Sequence, residues 1–262
     1  MRDRTDRTLP RYDCHVHTQC SPCGQEQMTI ENILRQAQCL GLSGLCLTDH
    51  LHPKTSLEQF SRLRAELDCS PIPSDLRVWV GCEAEVLAPG RFTLAPSAAS
   101  HFDLVLVAPY HGLDWVDRPR GHRESEIAEF ILLMMHSALD CPGVRVVAHP
   151  VLVWMEWAFD LERVYRIMLE SRSMSLLLKR AARGGIAMEI NSKFTSGPLR
   201  EMVLPFYRRC LEQGVKLSLG SDAHSPEGMD IWDEFQTFVD DLGAEVPGCL
   251  WIPSEHLPAA HP

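Results

Sequence analysis

Aspartate and histidine stand two apart in Gly220-Ser221-Asp222-Ala223-His224, directly after the short apolar run Leu217-Ser218-Leu219. A buried parallel strand ending in such a pair presents an oxygen and a nitrogen donor side by side, which is how metal ligands are commonly delivered. The same event recurs along the chain. His15 and His17 follow a short strand around residue 12, and His50 follows Gly44 to Leu47. Glu83 follows Val78 to Val80, His111 follows Phe102 to Ala108, and His149 follows Val144 to Ala148. Strand alternation places His15 and His17 on one face and Val16 on the other. Imidazole nitrogen and carboxylate oxygen suit a borderline divalent ion, and one carboxylate can bridge two. Eight such residues exceed what one ion can use. Two or three ions close together follow, a cluster that produces hydroxide at neutral pH and clamps the attacking and leaving oxygens of phosphoryl transfer.

The elements between these residues alternate strand and helix, the rhythm of an α/β fold with parallel strands. Helices are predicted at 29–40, with Thr29 as N-cap, and at 56–67, 124–139, 161–169, 173–183, 198–211 and 230–242. Strands are expected near 12–17, 44–47, 78–80, 102–108, 144–148, 186–190 and 217–219. Gly81 to Glu85 is placed after its strand, and Gly220 is expected to open the turn that carries Asp222. Seven strand-to-helix units in 262 residues predict a distorted (β/α)7 TIM-like barrel, whose active site lies at the C-terminal strand ends. One barrel domain is expected over 1–262, with a short charged N-terminal and a Pro-rich C-terminal extension.

Composition narrows the function classes. A formal net charge of −10 argues against holding long nucleic acid or anionic lipid, which calls for clustered Lys and Arg. Met1 to Arg11 is charged and lacks the apolar core of a signal peptide, and no run of about 18 apolar residues could span a bilayer. A cytoplasmic protein is expected. The ten cysteines are dispersed, and Cys39, Cys46, Cys82 and Cys210 fall in apolar segments, as reduced core thiols would. Cys20-Ser21-Pro22-Cys23 is a single CxxC without a second pair, too little for a zinc knuckle.

Taken in order, Asp13-x-His15-x-His17-Thr18, Thr48-Asp49-His50, Gly81-x-Glu83, His111, Ala148-His149-Pro150 and Gly220-Ser221-Asp222-Ala223-His224 resemble the successive motifs of the PHP (polymerase and histidinol phosphatase) family. The resemblance implies a metal-dependent phosphoesterase with two or three ions of zinc, manganese or iron. It assigns His15, His17 and Asp222 to one ion and makes Glu83 a bridge to a second ion completed by His111 and His149. His50 and His224 would hold a third. A bridging water or hydroxide would attack phosphorus, with Glu83, Asp222 and His224 closest to the chemistry. Members of the family often place a further His or Asp six residues after the second His of the first motif; this chain has Cys23 there, either a thiolate ligand or an empty position. The substrate implied is a small phosphorylated metabolite, histidinol phosphate or nucleotide-like. Glu189 and Asn191 alternate toward the barrel mouth and resemble a polar pair of the family, suited to orienting ligands or binding substrate. Lys193, Arg118 and Arg120 lie in loops after strands, where they would meet either a substrate phosphate or solvent. His52 and Glu85 stand two residues beyond ligands, with solvent exposure at least as expected as a supporting role. Two alternatives stand beside this reading: a metal-dependent amidohydrolase, which also begins with His-x-His on a barrel strand, and a non-catalytic metal-binding module.

Overall fold

The computed structural model describes residues 9–111, 116–117, 119, 121–153, 160–243 and 246–257. Ten strands and the helices between them follow the expected alternation. The strands are β1 (Tyr12–Val16), β2 (Gly44–Leu47), β3 (His50–Leu51), β4 (Arg77–Val80), β5 (Cys82–Ala88), β6 (Arg91–Phe92), β7 (Val105–Ala108), β8 (Val144–Val147), β9 (Ala187–Asn191) and β10 (Leu217–Gly220). The main helices are α1 (Ile30–Cys39), α2 (Leu57–Asp68), α3 (Glu124–Ala138), α4 (Leu161–Glu170), α5 (Arg172–Gly184), α6 (Gly197–Glu212) and α7 (Trp232–Leu242).

Helix ends are set by local chemistry. Thr29 Oγ1 accepts from the backbone N–H of Asn32, Ser56 from Glu58, Asp160 from Arg163 and Ser171 from Ser173, so four of the main helices start on side-chain caps. α5 ends where Gly185 takes a left-handed conformation, φ 63°. The apolar stripes point inward: Ile30, Ile33, Leu34 and Ala37 of α1 are buried, as are Ile127, Ile131, Met134 and Met135 of α3.

All pairings between the barrel strands are parallel, in two runs, β1-β2-β4 and β10-β9-β8-β7-β5-β3; β6 forms an antiparallel edge on β5. The runs are halves of one barrel. β2 and β4 each continue, after a break of one or two residues, into β3 and β5, so the chain supplies seven staves of a distorted TIM-like barrel. The expectation for Gly81 to Glu85 is corrected here: Gly81 is the only residue between β4 and β5, and Glu83 and Glu85 lie within a strand. At the last seam, Asp222 N donates to His15 O (2.8 Å) and His17 N to Ala223 O (3.1 Å), joining β10 to β1.

The barrel interior is filled below by Cys14, Cys46, Trp79, Leu104, Leu106, Val146, Ala148 and Ala187, with Trp251 packed against them. Trp251 N donates to Leu217 O (2.8 Å), which fixes this indole at the end of the barrel opposite the histidines. The apolar interior therefore ends where the polar site begins. Cys46, Cys82 and Cys210 are buried as expected, whereas Cys39, at the last position of α1, is exposed.

Candidate metal centre

Seven staves deliver polar side chains to one mouth. His15 and His17 leave β1 on the inner face because the strand carries one extra residue: Asp13 pairs with Leu45 and Val16 with Leu47, three steps against two. That bulge lets Cys14 face the lower interior while the next residue, His15, faces the mouth. On β5 plain alternation turns Glu83 and Glu85 inward, and Cys82 and Ala84 join the outer core.

Glu83 is the centre of the arrangement, fully buried, with both oxygens among imidazoles. Its Oε1 lies 3.0 Å from His149 Nε2 and 3.4 Å from His111 Nε2. Its Oε2 lies 2.9 Å from His50 Nδ1, 3.3 Å from His15 Nε2 and 3.6 Å from His17 Nε2. Asp222 Oδ1 stands 3.2 Å from His17 Nε2 and 3.8 Å from His15 Nε2. His224 turns Nδ1 to the carbonyl of Asp222 at 2.6 Å, and its ring centroid lies 4.5 Å from that of His17.

The donor set fits divalent ions. His15 Nε2 and His17 Nε2 aim at one another at 3.1 Å, a spacing natural for two ligands of one cation. Glu83 Oε2 and His50 Nδ1 are close, yet neither has a partner of hydrogen-bond geometry. Donor atoms converge within 4.8 Å of one another in several groups: His15, His17 and Asp222; His50, Glu83 and His111; and His17, Cys23, His50 and His224. The electrostatics call for positive charge here. Burial pushes the Glu83 carboxyl up, but the neighbouring His111, His15 and His50 outweigh it and hold it well below the usual carboxylate range. Asp222 behaves alike, burial being outweighed by His15 and Lys193. His15 is raised well above an ordinary imidazole, burial notwithstanding, by Glu189, Glu83 and Asp222. His17 goes the other way, driven by burial down to about 3, so it is a neutral donor.

Two candidate ligands sit on strained backbone. His149 (φ 28°) and Asp222 (φ 55°) are the non-glycine residues at positive φ among the described residues. The turn after β10 is thus made by Asp222 and not, as expected, by Gly220, which is the last residue of the strand. Gly220 serves another purpose. A Cβ there would lie 2.0 Å from Glu189 Oε1 and 2.7 Å from His15 Cβ, so the glycine leaves room for the Glu189 carboxylate. Glu189 Oε1 accepts from His15 Nδ1 at 2.8 Å, and Oε2 accepts from the backbone N–H of His149 at 2.7 Å and from Asn191 Nδ2 at 3.0 Å. One carboxylate orients two candidate ligands.

Asn191 Nδ2 also donates to Asp222 Oδ2 (3.2 Å), and the Lys193 ammonium, 41% exposed, pairs with the same oxygen. Asn191 and Lys193 therefore border the site; Arg118 and Arg120 lie outside the described residues. Glu85 and His52 were underestimated from sequence. Glu85 is 1% exposed, with Oε1 3.0 Å from His52 Nε2 and 3.3 Å from His111 Nδ1. The available signal was alternation, which puts Glu85 on the face of Glu83. Asp49 accepts from Thr18 N (2.6 Å) and Thr18 Oγ1 (2.7 Å), tying the loop after β1 to the one after β2.

Known proteins resemble this chain in sequence and in fold. A protein called a probable phosphatase from Caldicellulosiruptor saccharolyticus is 28% identical over 216 residues, 81% of this chain and 79% of the relative. A histidinol phosphate phosphatase from Lactococcus lactis subsp. lactis, solved with zinc, L-histidinol and phosphate, superposes with a TM-score of 0.60. It is 16% identical, over 90% of this chain and 95% of that one. A histidinol phosphatase structure from Listeria monocytogenes, described as putative in its own name, gives 0.56 at 11% identity, over 84% of this chain and 97% of that one. The model of the PHP domain matches residues 13–137, from the first motif through Glu83 and His111. That match spans residues of the first four motifs, and the structure brings His149, Asp222 and His224 to the same mouth as its His15, Glu83 and His111.

Proposed function

We propose that this protein is a metal-dependent phosphomonoesterase for a small phosphorylated metabolite. The observation that carries the reading is Glu83, whose two oxygens face separate imidazole groups, His149 and His111 on one side and His15, His17 and His50 on the other. A carboxylate so placed would bridge two ions, with His15, His17 and Asp222 completing one and His111 and His149 the other. Such ions supply Lewis-acid stabilisation of phosphoryl oxygens and an activated water. The chain's own groups do the rest: Glu189 fixes His15, Asn191 orients Asp222, and the partly exposed Lys193 offers a cation to a substrate phosphate. A carboxylate at the bridging position, where an amidohydrolase usually uses lysine, favours phosphate-ester hydrolysis.

Histidinol phosphate and nucleoside monophosphates are the first substrates to try. The protein reconstituted with zinc or manganese should release inorganic phosphate from at least one member of a broad monoester panel. Asp222→Ala should abolish that release, whereas His224→Ala should mainly weaken one ion and substrate binding. No phosphate from any substrate, or hydrolysis of lactones or cyclic amides in its place, would overturn the assignment.

A further inference from the structure

Cys23 enters the site from a loop built to present it. Gln19 N donates to Met28 O (2.8 Å), Ser21 N to Thr18 O (3.0 Å) and Gly24 N to Ser21 O (3.0 Å), closing residues 18–28 into a compact loop. Gly24 is needed for this closure: a Cβ there would lie 2.0 Å from Thr18 O and 2.9 Å from its carbonyl carbon, both backbone atoms that cannot swing away. The loop is pinned to the mouth by Gln25 N donating to His224 O (3.0 Å) and by Ser21, whose hydroxyl accepts from His50 N (3.3 Å) and lies 3.5 Å from Cys23 Sγ. The result is a convergence of Cys23, His50, His224 and His17 donor atoms within 4.8 Å of one another. His17 Nε2 is directed at His15 and Asp222, and its Nδ1 faces Ser21 Oγ at 3.3 Å. That leaves one sulfur and two imidazoles. Ligands of one tetrahedral zinc ion stand about 3.5 Å apart, so small side-chain movements suffice to close the set and leave a fourth position open.

We propose that Cys23, His50 and His224 form a thiolate-containing pocket that selects a thiophilic ion, zinc or ferrous iron, over manganese, while the neighbouring carboxylate-rich groups around Glu83 and Asp222 accept either. The inference rests on the reading that this mouth binds divalent ions, but not on the reaction performed there. Thiolate sulfur is a soft ligand that favours zinc and iron, whereas manganese, at the weak end of the divalent series, prefers carboxylate and water oxygen. The two parts of the site therefore differ in which metal they accept, and a manganese-loaded protein would hold one ion fewer than a zinc-loaded one.

Cobalt(II) makes the sulfur visible. The full-length protein titrated with cobalt should develop a near-ultraviolet thiolate-to-metal charge-transfer band. Cys23→Ser should lose that band and lower zinc affinity at one site by at least about tenfold, since a ligand is removed. Cys20→Ser, three residues away in the same loop, should keep both. Cys23→Asp should lack the band yet bind an additional manganese ion, because a hard oxygen now completes the pocket. A band that persists in Cys23→Ser, or cobalt binding without any band in the unsubstituted protein, overturns the proposal whatever the phosphatase assay shows. A band lost only in Cys23→Ser alongside no phosphate release leaves the pocket standing and sinks the reaction.

Discussion

Glu189→Gln tests whether a carboxylate that touches no ion sets the metal affinity of the site. The substitution keeps size and shape but replaces one acceptor oxygen by an NH2 donor. Glu189 Oε2 serves two N–H groups, the His149 backbone at 2.7 Å and Asn191 Nδ2 at 3.0 Å, whereas Oε1 serves only His15 Nδ1 at 2.8 Å. A backbone N–H cannot become an acceptor, so the glutamine oxygen must face His149 and its NH2 must face His15. His15 Nδ1 then has to accept, which moves the ring proton to Nε2. That nitrogen is the one 3.1 Å from His17 Nε2 and 3.3 Å from Glu83 Oε2, where it would serve a cation. The variant thus holds the wrong tautomer of a well-placed ligand. Loss of such a supporting group typically lowers metal affinity 10–100-fold, or about 1.4–2.7 kcal/mol. Competitive zinc titration against a chromophoric chelator should show this loss for one ion, with the ion at Cys23, His50 and His224 unaffected. Nitrogen chemical shifts of His15 should report the tautomer, and an unchanged circular dichroism spectrum should exclude misfolding. Zinc affinity equal to that of the unsubstituted protein would refute the reasoning.

Gly220→Ala should reach the same endpoint by a steric route, because the added carbon would overlap Glu189 Oε1 and crowd His15 Cβ. A loss of metal affinity together with about 1–3 kcal/mol of stability, read by urea unfolding, is expected. Acid should expose Glu85. Burial pushes its carboxyl up, but hydrogen bonds from His111 and His52 outweigh this and hold it at about 2, against 4.5 ordinarily. A depressed carboxyl contributes stability above pH 4.5 that is lost as pH falls toward about 2. The metal-free protein should therefore lose about 3 kcal/mol over that window, and Glu85→Gln should flatten this acid limb of stability against pH. Chelation at neutral pH should lower the melting temperature on the order of 10 °C, since a ligand at a thousandfold its Kd contributes about 4 kcal/mol. An unchanged melting temperature would argue against bound ions in the purified protein.

The positions of the candidate donors were legible because polar side chains gathered at the ends of parallel strands follow a simple grammar: an apolar run, then a donor, repeated with helices between. His15, Glu83 and Asp222 all obey it, and Thr29 caps α1 as its spacing predicts. What stayed hidden depends on partners distant in sequence. The bulge that turns both Cys14 and His15 inward exists only against β2. Gly220 looked like a turn residue because nothing local reveals that a glutamate 31 positions earlier needs its space. The burial of Glu85 depends on His52 and His111, which come from two other staves. Cys39 looked internal from its apolar neighbours but falls at the solvent side of the last helical turn, where helix phase outweighs composition.

The closing seam of the barrel and the candidate metal centre are built from the same short segments, and this couples the fold to the site. β1 and β10 have no regular ladder; Asp222 N to His15 O, His17 N to Ala223 O, Ser221 N to Asp13 Oδ1 (2.9 Å) and Ser221 Oγ to His15 O (3.2 Å) hold them together. Every one of these bonds involves a candidate ligand or its immediate neighbour. Asp222 bears the cost of positive φ to turn its carboxylate inward while its own N–H reaches across to His15. A cation shared by His15, His17 and Asp222 would therefore clamp the two strands that the backbone joins most sparsely. The same placement explains why a barrel with a well-packed apolar floor concentrates buried charge at its mouth: the polar side chains there complete the ring as well as gather the ligands.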